Sequence, residues 1–319
     1  MHTLRHPGNP ISTVTRIFRA LTLGWLLASL TIATAWSQTN TAVQFTQQVV
    51  DVPTRPGVTQ RFLYLVPQHP VATVILFAGG QGGLQISTEG AFKGGGGNFL
   101  VRSRQLFVER GFAVAVVDAP SDRQSFPFLG GFRQTSQHVE DMKAVMAWLR
   151  QQQVAQPAIS VWLIGTSRGT QSAAFIATQL DHTEGGPDGL VLTSTILREN
   201  KGGRAVPDMQ LQGLRIPVLV VHHEQDGCKL CAFSDIPRLM DALSAVSQKE
   251  LISVRGGTSQ GDPCEARAYH GYNGIEQDVV TRIADWITAS VGRSSDFELR
   301  SQYGDLVSAA LNRPAAKTQ

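Results

Sequence analysis

Three residues stand out for the chemistry they could do together: Ser167, Asp226 and His270. Ser167 lies in Gly165-Thr166-Ser167-Arg168-Gly169, directly after the apolar run "VWLIG" and directly before "GTQSAAFIATQL". A Gly-x-Ser-x-Gly pattern alone says little, but between a buried strand and a helix it marks a sharp turn that presents the hydroxyl. The flanking glycines let strand and helix approach without a Cβ clash. A serine hydroxyl is a weak nucleophile at neutral pH; it needs a base, and the base needs an orienting carboxylate. Asp226 follows the apolar run "IPVLVV" closely, and His270 sits in "EARAYHGYNGIE" before the closing helical segment. Glu224 and Asp262 are the alternative acids.

Other clusters point to less. His222 and His223 are adjacent on a strand and project to opposite faces, so they do not jointly chelate a metal and are read as structural. His138 falls early in an amphipathic helix and is read as a helix residue rather than a base. Cys228-Lys229-Leu230-Cys231 has the spacing of half a zinc site, but no second pair completes it. "GGQGGLQ" lacks the third glycine of a dinucleotide fingerprint, and "AFKGGGGNF" lacks the Gly-Lys-Ser/Thr ending of a phosphate loop. The latter reads as a loop at the rim of the site. No metal and no organic cofactor is expected.

These residues need elements to hold them. Two alternating strands, "AVQFTQQVVDV" and "TQRFLYLVP", flank a Pro-Gly break at Pro56-Gly57 and predict a hairpin. Runs that are apolar throughout then alternate with helical patterns. The strands are "ATVILFAGG", "FAVAVVDAP", "ISVWLIGTS", "GLVLTST", "IPVLVVHHEQD" and "KELISVRGG". The helices are "FLVRSRQLFVERG", "TSQHVEDMKAVMAWLRQQQ" with Ser136 or Thr135 as cap, "GTQSAAFIATQL", "SDIPRLMDALSAV" and "IEQDVVTRIADWITASV". This alternation predicts an α/β fold: a mostly parallel sheet with helices on both faces. Ser167, Asp226 and His270 then fall at strand-to-helix connections on the carboxyl edge, where open α/β sheets bind ligands.

With "GTSRG", the strand-then-Asp of "VVHHEQD" and the late His of "YHG" in that order, the segment from about Gln60 to Val291 resembles the α/β-hydrolase fold family. More narrowly, it is similar to small exported or cytoplasmic serine esterases of the dienelactone-hydrolase type. The resemblance implies an acyl-enzyme mechanism with Ser167, Asp226 and His270 as triad. It also implies an oxyanion hole of two backbone N–H groups, one from Arg168 and one from the loop "FAGGQGG", at Gly80 or Gln81. Ala78 stands where many relatives of that family have His. The resemblance further implies a Cys228–Cys264 disulfide tying the acid loop to the base loop, with Cys231–Cys264 the alternative. Only about twenty residues separate "GLVLTST" from "IPVLVV", so no large cap domain fits. Phe126, Phe128 and Phe132 could line an acyl pocket, or simply pin their loop to the core; Arg123 or Arg133 could instead meet a substrate carboxylate.

The first 37 residues read differently. Arg5, Arg16 and Arg19 precede the apolar run "ALTLGWLLASLTIATAW", and small residues follow, the order of a cleaved signal peptide. The expected organisation is 1–37 signal peptide, 38–292 hydrolase domain and 293–319 polar tail, with export to a periplasm or the exterior. The formal net charge is +3, and the leader holds three arginines and no acidic residue, so the mature chain is near neutral (3 − 3 = 0). That gives no electrostatic reason to expect nucleic acid, or stable membrane association after cleavage. The expected partner is a small-molecule ester. A serine peptidase or amidase using the same triad, and a non-catalytic exported binding protein of the same fold, are the rival readings.

Overall fold

The structure is a computed structural model that describes residues 43–152 and 159–311, with helix residues beyond 293 as backbone only. Residues 1–37, read above as a signal peptide, lie outside the described residues.

Eight strands form one sheet in the order β1-β2-β4-β3-β5-β6-β7-β8. β1 (Phe45–Arg55) and β2 (Val58–Pro67) make the antiparallel hairpin, turning at Gly57 with φ +71°. β2 pairs antiparallel with β4 (Phe112–Val117). From β4 onward, through β3 (Ala72–Phe77), β5 (Val161–Thr166), β6 (Gly189–Thr193), β7 (Val218–His223) and β8 (Lys249–Val254), every pairing is parallel. Each parallel step is a crossover, so every loop leaving a carboxyl end emerges on one edge.

The period-two alternation of side chains explains why the central strands read as unbroken apolar runs. In β5, Val161 and Leu163 enter one core while Trp162 and Ile164 enter the other. In β3, Ile75 and Phe77 face the first core, and Val74 and Leu76 the second. The first core is closed by α3 (Ser136–Gln151), α4 (Gly169–Gln179) and α5 (Ile236–Ala242). The second is closed by α1 (Phe99–Arg102), α2 (Arg104–Glu109) and α6 (Glu276–Leu311). Two covered faces are what a parallel sheet requires.

Some boundaries differ from the sequence pattern. The helix expected over 99–111 divides at Ser103, whose backbone takes φ −93°, ψ 3°. The expected 234–246 helix shortens to α5, entered through a 3-10 turn at Phe233–Asp235, because Pro237 suits a first turn and not an interior. α6 continues as helix to Leu311, into the segment read as a polar tail. Between β6 and β7 the regular structure is limited to two 3-10 turns, Val206–Asp208 and Leu211–Gly213, so no cap domain is inserted there. Among the described residues no helix is long and apolar enough to cross a membrane.

Candidate active site

Ser167 occupies the turn between β5 and α4 with φ +53°, a left-handed conformation that an L-residue adopts only at a cost. The surroundings enforce it. A Cβ on Gly165 would lie 2.5 Å from the Gly169 carbonyl oxygen, and one on Gly169 would lie 2.0 Å from the Phe77 carbonyl oxygen. Only glycine allows the helix to start this close to the sheet. The turn is fastened by Ser167 N–H donating to Thr193 O (3.1 Å) and by the Thr170 N–H and hydroxyl donating to Ser167 O (2.9 and 2.5 Å). The Ser167 side chain makes no hydrogen bond within the described protein.

Asp226 lies three residues past the end of β7. His270 lies in a 3-10 turn, Tyr269–Gly271, between β8 and α6. The two meet: His270 Nδ1–H donates to Asp226 Oδ2 at 2.8 Å. That leaves Nε2 of His270 as an acceptor, and it is buried with no partner among the described residues. Asp226 Oδ1 accepts the Cys228 N–H (2.9 Å). Burial by itself would raise the Asp226 carboxyl, but donors from His222 and His270 more than offset this and hold it at about 2. The carboxylate is therefore charged at neutral pH. Glu224 instead pairs with Arg255, and Asp262 caps the Cys264 N–H.

The base loop is pinned where it leaves the sheet. The Ser194 hydroxyl donates to His270 O (2.7 Å), the Tyr272 hydroxyl donates to Val221 O (2.8 Å), and the Ser194 N–H donates to the Tyr272 oxygen (2.9 Å). The sequence alone did not single out Ser194 or Tyr272. Nor did it show what His222 faces. Its Nε2–H donates to Cys231 O at 2.7 Å and lies 3.5 Å from Asp226 Oδ2, on the acid. His223 points the other way, stacking on Tyr269 and donating to Gly256 O. Cys228 and Cys264 are bonded (S–S 2.02 Å), so the acid loop and the base loop are covalently joined; Cys231 is a buried free thiol whose pKa is raised by burial and by Asp226.

A cavity of about 690 Å³ opens on this edge. Ser167, His270, Arg168, Gly80 and Gln81 all line it, together with both bridged cysteines. Within the described protein the backbone N–H groups of Gly80, Gln81 and Arg168 donate to no acceptor, and Arg168 lies at the positive N-terminal end of α4. The loop carrying Gly80 and Gln81 is held farther along by Asp118, at the end of β4, which accepts the N–H groups of Leu84, Gln85 and Ile86. The glycine-rich loop at Gly95 and Gly97 forms part of the rim. Of the three phenylalanines weighed for an acyl pocket, only Phe128 reaches the cavity; Phe126 is 77% exposed and Phe132 is buried in a small core of its own. Neither arginine weighed for a substrate carboxylate lines the cavity. Arg123 packs over the Phe132 ring, and Arg133 is buried beneath the loop.

In comparisons with known proteins, residues 29–184 match the family model of the S15 X-Pro dipeptidyl-peptidases. No curated protein matches. Among solved structures the chain is similar to a cold-adapted esterase from an Arctic intertidal metagenomic library (TM-score 0.51, 16% identity, covering 78% of this chain and 95% of the other). It is similar to dienelactone hydrolase from Anabaena variabilis (TM-score 0.51, 13% identity, 78% and 98%) and to an esterase from Pyrococcus furiosus (TM-score 0.54, 12% identity, 77% and 93%). The chain has the α/β-hydrolase fold. It shares that fold with the two esterases and the dienelactone hydrolase.

Proposed function

We propose that the chain is an exported serine hydrolase that cleaves carboxylic esters through an acyl-enzyme. The observation that carries this reading is His270: one ring nitrogen is held by Asp226 at 2.8 Å, and the other is buried and unpartnered in the cavity that Ser167 also lines. In this reading His270 Nε2 takes the Ser167 proton as the hydroxyl attacks the ester carbonyl. Asp226 keeps the proton on Nδ1 and stabilises the imidazolium that forms. The oxyanion accepts hydrogen bonds from Arg168 N–H and from Gly80 or Gln81 N–H. His270 then protonates the departing alcohol, and a water activated by His270 releases the acid. The chemistry needs no metal or organic cofactor.

The esterase neighbours and the open, uncapped cavity favour an ester. The S15 match favours the second reading, a serine peptidase; it includes the Ser167 turn but ends before Asp226 and His270. Fluorophosphonate labelling of protein recovered from the producing cells, followed by peptide mass mapping, tests the proposal. The expected result is one adduct, on Ser167, lost in His270→Ala, on a chain that begins near Ser37, with turnover of p-nitrophenyl acetate exceeding that of an X-Pro p-nitroanilide. An intact N-terminus would remove export. No adduct on folded protein would remove the serine-hydrolase reading.

The disulfide is part of this proposal and suits an oxidising compartment. It closes a loop spanning 36 residues, which the chain-entropy model values at about 4 kcal/mol. Replacing Cys264 by Ser should therefore lower the unfolding free energy by up to that amount in a denaturant titration. It should also lower kcat/KM about tenfold, because the acid and base loops lose their tether. A variant with wild-type turnover would show that the Asp226–His270 geometry holds without the bond.

A further inference from the structure

Arg133 is 2% exposed, and among the described residues it makes no ion pair. Its guanidinium donates only to neutral oxygens: Ser172 Oγ (2.9 Å), Ala78 O (2.9 Å) and Gly80 O (3.3 Å). Burial, with Arg168 also acting on it, pulls its pKa down to about 9, so the group stays charged at neutral pH although the site disfavours it. His138, which feels the same charge, is itself held neutral at about 3 by burial, Arg133 and Arg55. A buried charge without a counter-ion is costly. Room has nonetheless been made for it: a Cβ on Gly82 would lie 2.5 Å from Arg133 Nη2.

The acceptors explain the placement. Ala78 O and Gly80 O belong to the loop that carries both of the alternative oxyanion donors, Gly80 and Gln81. In a trans peptide the C=O and N–H point in opposite directions. Holding the Gly80 carbonyl toward Arg133 therefore turns the Gln81 N–H to the far side of the loop, and a cation on the carbonyl oxygen polarises that N–H. Ser172 fixes the same guanidinium to α4, the helix that begins beneath Ser167.

We propose that Arg133 is a positioning residue for the oxyanion hole, a buried cation set behind the Gly80–Gln81 peptide whose counter-charge is the tetrahedral intermediate. This rests on the serine-hydrolase reading. The charge is uncompensated in the resting enzyme and compensated only as the oxyanion forms, so its benefit falls on the transition state and not on substrate binding. Two unit charges about 8 Å apart at an effective dielectric of roughly 20 interact by an amount worth about 30-fold in rate.

The test uses p-nitrophenyl acetate hydrolysis and the inhibition constant of a trifluoromethyl ketone, whose adduct carries the oxyanion, on the wild type and three variants. Arg133→Met removes the charge, Arg133→Gln removes it but keeps a donor for the loop carbonyls, and Arg133→Lys keeps the charge. The expected result is a fall in kcat of about 30-fold in the Met and Gln variants with KM within about twofold. Ketone affinity should weaken by the same factor, and the Lys variant should recover most of both. If the Met variant does not fold, Gln against Lys gives the same comparison. Gln at wild-type kcat, or Gln and Lys equally impaired, would overturn the proposal, the second outcome leaving Arg133 as a loop anchor only. A wild type that neither turns over ester nor takes a label on Ser167 would instead overturn the serine-hydrolase reading.

Discussion

Ser167→Ala should lower kcat/KM for an ester by about five orders of magnitude while leaving the fold intact. Removing the nucleophile alone costs about as much as removing a whole triad, because the groups act as one unit; what remains comes from the oxyanion hole and binding. The structure makes this variant a clean one. The Ser167 hydroxyl makes no hydrogen bond within the described protein, so its loss strands no partner, and alanine keeps the Cβ packed against Gly79. A companion variant separates chemistry from strain. Ser167 sits at φ +53°, where an L-residue pays roughly 1–2 kcal/mol that glycine does not. Ser167→Gly should be equally inactive yet more stable, by up to about 1 kcal/mol once the entropy of glycine in the unfolded chain is counted. The measurements are steady-state turnover and chemical denaturation of all three proteins. Retention of more than about one part in a hundred of wild-type activity by the alanine variant would place the nucleophile elsewhere.

That Ser167 could be singled out at all follows from how local its signal is. Glycine is required at 165 by the turn itself and at 169 by the end of the neighbouring strand β3, and the strand before Ser167 is apolar on both faces, so the pattern survives in a single short stretch. The same holds for β3, β4, β5 and β7, whose burial on two faces leaves unbroken apolar runs. Asp226 and His270 were legible for a different reason: each lies in the connection that follows a strand, and parallel crossovers bring all such connections to one edge. What was not legible depends on partners far away in sequence. Period-two alternation puts His222 and His223 on opposite faces, but only the paired register of β7 and the course of the loop after it decide that His222 meets Asp226. From the sequence Arg133 reads as a residue that could meet a substrate carboxylate, and nothing in "GGFRQTS" tells that it turns inward beneath the loop at Ala78–Gly82. The break at Ser103 escapes for a related reason, since its apolar spacing continues through the break and the buried side chain, not the pattern, marks it.

Asp226→Asn should lower kcat by about four orders of magnitude, because the amide reverses one hydrogen bond that fixes the His270 tautomer. Asp226 accepts the His270 Nδ1–H on Oδ2 and the Cys228 N–H on Oδ1, and His222 Nε2 lies 3.5 Å from Oδ2. Cys231 O requires the proton of His222 to stay on Nε2, and Cys228 N–H keeps the amide oxygen of an asparagine on its own side. The amide nitrogen would then face His270, whose Nδ1 could only accept from it. The proton moves to Nε2, and the ring donates toward Ser167 where it should accept. A pH signature accompanies this loss. The carboxyl is held at about 2 in the folded chain, below its unfolded value near 3.9, so it contributes stability that is fully present above pH ~4 and disappears as pH falls through about 2. The shift corresponds to roughly 2 kcal/mol. The wild type should therefore exceed the asparagine variant in unfolding free energy by about that amount at pH 7, and the two curves should converge near pH 2. Turnover within tenfold of wild type would remove Asp226 as the orienting acid. A stability gap that persists unchanged at pH 2 would show instead that the carboxylate's charge is not what its surroundings stabilise.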